Sequence, residues 1–228
     1  MVTGIESHEN VALLGGADVS DAVWADIRAL TGPVVAADGG ARHALNRGVI
    51  PDAVIGDMDS LAPDMAARIP ADRLHLVSEQ QTTDFDKALR HVRAPLVIGA
   101  GFSGARADHA LAAYTVLARH PDRPCALVGE DEVVTLCPPR VVADLPVGSW
   151  FSLYPLGPVT GRSQGLEWPI DGLAFDPAGQ VGTSNRVTGR VALELSAPLM
   201  LAITPRAGLP AWVAALRDAP VRWPSRAG

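Results

Sequence analysis

Short apolar segments alternate with amphipathic helical patterns along residues 10 to about 135. The apolar segments predict strands at residues 11–14, 33–37, 53–55, 74–77, 96–99 and 126–128, and the patterns between them predict helices near 21–30, 41–45, 82–92 and 109–119. Because these strands are mostly apolar and do not alternate, helices should cover both faces of their sheet. The pattern therefore predicts an α/β domain with a mostly parallel sheet flanked by helices.

The pattern changes near the proline pair at residues 138–139. Beyond it glycine and proline are frequent, and apolar residues alternate along the chain, as at Val191, Leu193 and Leu195 and again at Leu199, Leu201 and Ile203. Short alternating strands separated by turn residues are typical of an antiparallel sandwich or barrel. We therefore predict a boundary near residues 136–142, with an α/β catalytic domain over residues 1–137. A smaller all-β sandwich domain follows over residues 138–228, with a short helix near 211–217.

Composition narrows the class of protein. Hydrophobic residues make up 48% of the chain and charged residues 19%, which excludes wholesale disorder. No apolar run approaches the ~20 residues that cross a bilayer, and no secretory signal precedes the first strand, so we expect a cytoplasmic protein. The net charge of −6 and the absence of a basic stripe argue against nucleic acid or an anionic membrane as partner. Cys125 and Cys137 are too far apart for a C-x-x-C pair and are interpreted as core thiols.

Polar residues gather where the predicted parallel strands end. They are Asp38 after the second strand, Asp57 and Asp59 after the third, Gln80 and Asp84 after the fourth, and Arg106 and Asp108 after the fifth. In an open parallel sheet ligands bind outside the carboxyl ends of the strands, so these loops should converge on one site. Several carboxylates around one cleft raise each other's pKa values unless a cation is present. The sequence therefore predicts a metal ion or a cationic ligand at this edge.

Two turns in this group have a specific chemical interpretation. In GDMDS, residues 56–60, Asp57 and Asp59 can both reach one hard cation, and magnesium favours such carboxylates together with water and phosphate oxygens. The alternative is a polar turn in which Asp59 or Ser60 caps the next helix. The glycine-rich turn that begins with Asp38 and Gly39 can present N–H groups to phosphate, or it can be only a tight reversal.

Two further segments carry charges of both signs. QQTTDFDKAL, residues 80–89, opens a helix and contains Lys87, which is the only lysine of the chain. Asp84 lies at the predicted ligand-binding edge of the sheet and is interpreted as functional. The next acidic residue, Asp86, can simply pair with Arg90 on the helix surface. In the loop at residues 101–109, Arg106 can fork onto phosphate oxygens, and Asp108 is either functional or a helix cap.

With these residues in view, the chain resembles the thiamine pyrophosphokinases over most of its length. The motifs that carry the resemblance stand in the family's order: DGG at 38–40, GDMDS at 56–60, QQTTDFDKAL at 80–89, GARADH at 104–109, GLEWPI at 165–170 and SN at 184–185. The family combines an α/β catalytic domain with a smaller β-sandwich, which agrees with the boundary predicted from the apolar pattern.

The resemblance implies a role for each matched residue. Asp57, Asp59 and Asp84 resemble magnesium ligands, and Asp38 and Asp108 resemble the rest of the acidic cluster. Lys87 and Arg106 resemble the cations that balance the triphosphate, whereas Gly39 and Ser60 belong to the turns at the substrate. Gln80 resembles the residue at the thiamine pyrimidine, and Trp168, Ser184 and Asn185 resemble the β-domain side of the thiamine site. The resemblance also implies a homodimer whose active site forms between subunits.

The implied reaction transfers a pyrophosphoryl group from ATP to the hydroxyl of thiamine, and AMP leaves. Three departures from the family pattern concern Ala105, Gln81 and Pro169, which stand where glycine, an acidic residue and asparagine are common. One alternative is a pyrophosphokinase for another small alcohol, such as a hydroxymethyl pterin, because the N-terminal motifs mostly handle ATP and metal. Another is a catalytically inactive module that senses nucleotide or thiamine.

Overall fold

The computed structural model describes residues 4–104 and 106–226. The chain separates into two compact units, of which the first runs up to Val116 and includes Leu127–Glu130. The second consists of Leu117–Ala126 and the chain from Asp131 onwards. Helices and strands are both present in a mixed α/β fold, as the sequence predicts. Among the described residues, no helix combines the length and the apolarity needed to span a bilayer.

The first unit is built on strands that pair in parallel. The strands up to residue 128 are β1 (Ile5–Glu6), β2 (Val11–Leu14), β3 (Val34–Ala37), β4 (Ala53–Gly56), β5 (Leu74–Leu76), β6 (Val92–Arg93), β7 (Val97–Ala100) and β8 (Cys125–Val128). Five of them lie side by side in the order β5-β4-β3-β2-β7, and every pair in this run is parallel. The chain therefore proceeds from β2 to one side and returns to β7 on the other, so the topological switch point lies between β2 and β7.

Burial follows position in the sheet. The strands β2, β3, β4 and β7 are buried along their whole length, which agrees with their continuous apolar sequence. The strand β5 differs, because its Leu76 is 62% exposed. It lies at the end of the strand order and has a neighbour on one side only. The uniform burial predicted for residues 74–77 is therefore wrong, and the reason is the edge position.

The helices begin where the sequence supplies caps. They are α1 (Asp21–Arg28), α2 (Ala41–Leu45), α3 (Pro63–Ala66), α4 (Asp84–His91) and α5 (Ala107–Arg119), with 3₁₀ turns at Asp38–Gly40 and Ala71–Arg73. Ser20 caps α1 by accepting a hydrogen bond from the Val23 amide at 3.2 Å. Thr83 caps α4 in the same way, by accepting from the Asp86 amide at 3.2 Å. Each cap gives a hydrogen-bond acceptor to a backbone amide that has no partner within the helix itself.

The second unit pairs its strands antiparallel. It contains β9 (Glu132–Leu136), β10 (Arg140–Ala143), β11 (Trp150–Pro155), β12 (Val159–Leu166), β13 (Ala174–Phe175), β14 (Thr183–Leu195), β15 (Met200–Pro205), a 3₁₀ turn at Arg206–Gly208 and the helix α6 (Leu209–Arg217). The 13-residue strand β14 pairs with β10, β11 and β12. A single long strand therefore organises most of this unit. The helix predicted near residues 211–217 is confirmed and begins two residues earlier.

Alternation along these strands holds in one place and fails in another. Val191, Leu193 and Leu195 are all buried on β14, as predicted. On β15 the fully buried residues include Met200, Ala202 and Thr204, whereas Ile203 is only partly buried. The alternation predicted for Leu199, Leu201 and Ile203 is therefore absent from β15, because Leu201 is buried together with the residues on either side of it.

Buried aromatic and thiol groups complete this unit. The indole of Trp212 on α6 is fully buried, donates to the Thr135 hydroxyl at 3.0 Å and meets the Phe151 ring edge-on at 5.7 Å. Cys125 and Cys137 are free and buried, which confirms their interpretation as core thiols. The Cys137 carbonyl accepts a hydrogen bond from the Trp223 indole at 2.8 Å, so the chain beyond α6 is attached to the core.

Candidate active site

Three carboxylates converge at the carboxyl edge of the parallel strands. Asp38, Asp57 and Asp59 each offer an oxygen, and these three oxygens lie within 4.8 Å of one another. Asp38 follows β3 directly, and the other two follow β4, so neighbouring parallel strands deliver them to the same edge. Carboxylate oxygens at this spacing are the ligands that a hard divalent cation prefers. The convergence that the sequence predicts for these residues is present.

The backbone around this group is tight and partly left-handed. Asp38 has a φ of 46° and Met58, between Asp57 and Asp59, has a φ of 65°. A Cβ on Gly56 would lie 2.8 Å from the Cβ of Asp38, so only glycine allows the two turns to approach this closely. Non-glycine residues adopt such conformations at a cost, and they cluster at functional sites. The fold thus holds this turn pair in a conformation that the local sequence alone does not favour.

Asp38 is the most buried member of the group. It is 1% exposed, its Oδ2 accepts from the Ser60 amide at 3.3 Å, and its Oδ1 has no hydrogen-bond partner among the described residues. Burial raises the pKa of Asp38 to about 6, and the charges of Asp84 and Asp57 act in the same direction. A buried carboxylate oxygen without a partner is unfavourable, and a divalent cation would satisfy it. The residues present therefore fit a metal ion.

Lys87 occupies the centre of the charged network. Its ammonium is 2% exposed and donates to Asp57 Oδ2 and to Asp84 Oδ1, each at 3.0 Å. Burial alone would lower the pKa of Lys87, but the hydrogen bonds to these two carboxylates outweigh it and raise that pKa. The hydrogen bond from Lys87 correspondingly lowers the pKa of Asp57. Lys87 is therefore charged, and it keeps Asp57 ionised beside two other carboxylates.

Asp84 contacts Lys87 rather than the group of three carboxylates. It lies outside the group of three convergent carboxylates and accepts a hydrogen bond from Lys87 one turn along the same helix. Asp38 is a member of that group. The spacing in the sequence could not decide this, because the choice depends on which side chains the strand ends and the helix start bring together.

Gln80 and its neighbours form a second layer of contacts. The Gln80 amide donates to Asp57 Oδ2 at 2.9 Å. The loop before α4 is held by Glu79, whose carboxylate accepts from the Thr82 hydroxyl at 2.7 Å and from the Arg90 guanidinium at 2.9 Å. The hydrogen bond from Thr82, followed by that from Arg90, lowers the pKa of Glu79 to about 2. Sequence reasoning assigned no role to Glu79, although its position next to Gln80 was a usable signal.

The remaining predicted residues of this unit divide into two sets. Gly39 and Ser60 face each other, because a Cβ on Gly39 would lie 2.9 Å from the Ser60 carbonyl oxygen. The Ser60 hydroxyl also donates to Asp59 at 2.9 Å. Arg106 and Asp108 instead pair with each other at 2.6 Å, with 68% and 62% of their side chains exposed. Ala105, one of the departures from the family pattern, lies outside the described residues.

The second unit holds the three other predicted residues on or beside β14. Trp168 is 54% exposed, whereas Asn185 is 3% exposed. The Asn185 side chain accepts from the Trp168 amide at 3.1 Å and donates to the Trp168 carbonyl at 2.6 Å. Ser184 is exposed and lies opposite Ser152 of β11. Within this unit, Asn185 therefore acts on the main chain of Trp168 and leaves the indole accessible.

Comparisons with known proteins agree with this arrangement. A family model described as "Thiamin pyrophosphokinase, catalytic domain" matches residues 30–127, which include the acidic group and Lys87. Thiamine pyrophosphokinase 1 of Arabidopsis thaliana is 26% identical over 156 residues, which are 60% of this chain and 58% of that protein. Thiamine pyrophosphokinase 2 of the same plant is 26% identical over 181 residues, or 70% of this chain and 68% of that protein.

Solved structures share the fold. The thiamin pyrophosphokinase of Geobacillus thermodenitrificans superposes with a TM-score of 0.70 at 21% identity and covers 86% of this chain and 96% of its own. The yeast enzyme gives a TM-score of 0.69 at 16% identity, over 95% of this chain and 91% of its own. The matched catalytic domain, the curated relatives and the common fold lead to one conclusion, that the chain is similar to the thiamine pyrophosphokinases in sequence and in fold.

Proposed function

We propose that the chain is a thiamine pyrophosphokinase, which transfers a pyrophosphoryl group from ATP to the hydroxyl of thiamine. The oxygen of that hydroxyl attacks the β-phosphorus, the bond from this phosphorus to the bridging oxygen of the α-phosphate breaks, and AMP leaves. The hydroxyl proton passes to a base, and thiamine diphosphate is the second product. The observation that carries the proposal is the group of Asp38, Asp57 and Asp59 with Lys87 bound to one of its members.

The acidic group suits a divalent cation, which we propose to be magnesium. Asp38, Asp57 and Asp59 would hold it, because their oxygens converge and one buried oxygen lacks a partner. When bound, such an ion neutralises phosphate charge. The carboxylate of Asp84, also predicted as a metal ligand, accepts a hydrogen bond from the Lys87 ammonium. We therefore add Asp38 to the proposed ligand set of Asp57, Asp59 and Asp84.

Lys87 supplies a fixed positive charge for the transferred group. Phosphoryl-type transfers depend mostly on positioning and on neutralising charge, and a buried ammonium does both without rearranging at the moment of reaction. Arg106 would add a second cation, provided that it exchanges Asp108 for phosphate oxygens. The base that accepts the hydroxyl proton is Asp84 or Asp108. The contacts that these two carboxylates make in the structure do not favour one of them over the other.

The acceptor side is assigned to the second unit. Trp168 offers an accessible indole, and the thiazolium of thiamine is a permanent cation that an aromatic face attracts. Gln80 would meet the pyrimidine of thiamine, and Ser184 and Asn185 would complete this side. We also propose that the antiparallel unit is the all-β sandwich of a chain divided near residue 137. A cytoplasmic homodimer whose active site forms between subunits completes the proposal.

The decisive experiment measures AMP release by the purified chain from ATP with Mg²⁺, with and without thiamine. Equal amounts of AMP and thiamine diphosphate, formed only when both substrates are present, are the expected result. AMP release that depends on a hydroxymethyl pterin and not on thiamine would keep the reaction class and replace the acceptor. Binding of ATP or thiamine without any product would favour the inactive sensing module.

A further inference from the structure

The loop at residues 15–20 follows β2, at the switch point of the parallel sheet. Its neighbour β7 runs on into a second loop, which begins at Gly101. Ligands of open parallel sheets bind in the crevice beside the switch point, between the loops that leave the two strands. The acidic group lies on the other side of β2, at the ends of β3 and β4. The topology therefore adds the loop 15–20 to the edge where the acidic group lies.

Three side chains from one segment hold this loop by its carbonyl oxygens. Arg42 donates to the Gly16 carbonyl at 2.5 Å, and the Nε2 of His43 lies 2.7 Å from the Ala17 carbonyl oxygen. Arg47 donates to the Val19 carbonyl at 2.9 Å and to the carboxylate of Asp21 at 2.6 Å. All three donors lie on α2 or just after it. We call Arg42, His43 and Arg47 the loop clamp.

His43 is the buried member of the clamp. It is 7% exposed, and burial lowers its pKa, with the charges of Arg42 and Arg47 acting in the same direction. A carbonyl oxygen can only accept, so the neutral imidazole carries its proton on Nε2. The charged groups around it are these two arginines and Asp18, whose carboxylate is fully exposed and lies 3.8 Å from Arg42. His43 is therefore a neutral donor, which the chemistry of the acidic group does not use.

Close backbone packing holds the same loop from two sides. A Cβ on Gly40 would lie 2.2 Å from the Leu14 carbonyl oxygen and 2.9 Å from that of Gly15. On the other side Gly101 has a φ of +80°, and a Cβ there would lie 2.7 Å from the Gly15 carbonyl oxygen. The Ala17 amide also donates to the Gly101 carbonyl at 2.8 Å. The loop therefore has little freedom to move on these two sides.

Gly16 differs from these neighbours. A Cβ added to it would meet no atom of the described residues within 4 Å, and its backbone does not have a left-handed φ. The clamp turns the Gly16 carbonyl towards Arg42, while the residue itself remains exposed. A loop that is fixed on its inner sides and open at one glycine suits the close approach of a ligand.

We propose that the loop 15–20 forms one wall of the nucleotide site, and that Arg42, His43 and Arg47 are positioning residues that hold it in its binding conformation. The proposal rests on the proposed function, because that function supplies ATP as the nucleotide. None of the three residues needs to touch ATP. Their effect passes through the backbone of residues 16–19, so it should appear in nucleotide binding and leave the acceptor side unchanged.

The first test measures binding of ATP with Mg²⁺ to the full chain by calorimetry. His43→Ala removes a buried hydrogen bond from the loop, and we expect the Kd for ATP to rise about tenfold. His43→Gln keeps an N–H donor and should recover most of that loss. The KM for thiamine should stay within about twofold of wild type in both variants. The calorimetric stoichiometry should also stay unchanged, because a general loss of stability would lower the fraction of protein that binds rather than raise the Kd of the folded protein.

The second test uses matched substitutions that do not depend on His43. Gly16→Val adds a side chain in open space and should weaken ATP binding tenfold or more, whereas Gly189→Val, also in open space and without a left-handed φ, should not. Arg42→Ala should weaken ATP binding, whereas Arg28→Ala should leave it unchanged. Arg28 clamps the Gly32 carbonyl at 2.6 Å just before β3, at the opposite end of the strands.

The outcomes separate this proposal from the proposed function. A wild-type chain that binds ATP but makes no thiamine diphosphate would refute the proposed reaction, and the variants would still test the loop. Wild-type ATP binding in both His43→Ala and Gly16→Val would overturn the loop proposal even if the chain makes product. A wild-type chain that binds no ATP would overturn the loop proposal as well.

Discussion

Asp38 in the first unit and Asn185 in the second are both buried polar side chains, but they differ in how their hydrogen bonds are satisfied. In the first unit Asp38 is 1% exposed, and one of its carboxylate oxygens has no partner among the described residues. In the second unit Asn185 is 3% exposed, but its carbonyl and its amide both bond to the main chain of Trp168. The burial of Asn185 needs no ligand to explain it, because its hydrogen bonds offset the cost of removing its side-chain amide from water. It does not explain the carboxylate, and this difference marks the acidic edge as a place for a ligand.

Removing a charge from the acidic group should have the largest effect. Asp57→Asn keeps the size of the side chain but loses the charge that pairs with Lys87 and contributes to cation binding. We expect turnover to fall about 10³-fold or more, because charge stabilisation is the main catalytic term in such transfers. The measurement is AMP release under saturating ATP and thiamine. Asp64→Asn, an exposed change on α3, is the matched control, and equal rates in the two variants would refute the metal assignment.

Replacing the only lysine should reduce both activity and stability. Lys87→Met leaves the carboxylates of Asp57 and Asp84 without their shared cation, and losing one partner of a buried pair is strongly destabilising. We expect the free energy of unfolding in urea to fall by about 3 kcal/mol. Lys87→Arg should not restore activity, because a planar guanidinium does not fit the site of a compact ammonium. Full activity of Lys87→Arg would contradict the proposed geometry.

Neutralising the buried carboxylate should stabilise the metal-free chain. The pKa of Asp38 is raised from 3.8 to about 6, so the folded state binds a proton more tightly than the unfolded state does. The charged form therefore lowers stability at pH values above about 6, and this penalty shrinks as the pH falls towards 4.

Asp38→Asn should accordingly raise the free energy of unfolding by about 2 to 3 kcal/mol at pH 8 in EDTA, and by roughly half as much at pH 5. Urea titrations at the two pH values measure this difference, and Asp64→Asn again serves as control. A stabilisation that is equal at both pH values would contradict the assigned pKa. With excess Mg²⁺ the sign should reverse, because the variant loses a proposed ligand.

The smallest effect should come from Asn185, the buried amide whose hydrogen bonds are satisfied. Asn185→Ala removes two hydrogen bonds to the Trp168 main chain, so we expect a loss of about 2 kcal/mol of stability in urea and a higher KM for thiamine. Trp168→Ala should raise that KM by about tenfold with little change in stability, because the indole is half exposed. If Asn185→Ala changed the KM without any loss of stability, Asn185 would contact the substrate directly.

Much of the fold could be predicted from the apolar pattern because local rules decide it. The strand at Val11–Leu14 and the helix that opens within residues 80–89 follow from short-range sequence features, and both are confirmed. The edge position of β5 and the burial of both faces of β15 could not be predicted in this way. Those properties depend on which strands lie alongside, and strand neighbours are set by contacts between distant parts of the chain.

The candidate site likewise has features that the sequence predicts and features that it does not. The motifs predict that Asp38, Asp57 and Asp59 share an edge, because parallel strands deliver their carboxyl ends to one side. They do not predict that Asp84 pairs with Lys87, nor that Arg106 pairs with Asp108. The pairings of long side chains depend on distances of a few ångströms, which no spacing along the sequence specifies.

The sequence by itself determined the mixed α/β fold, the resemblance to the thiamine pyrophosphokinases and the acidic character of the edge, because periodicity and ordered motifs record these properties residue by residue. Only the tertiary structure decided which carboxylates converge, that Lys87 is buried between two of its partners, and that Arg42, His43 and Arg47 hold the loop after β2. The physical reason is that electrostatic and hydrogen-bond contacts act over about 3 Å in space, whereas the residues that make them lie tens of positions apart in the chain.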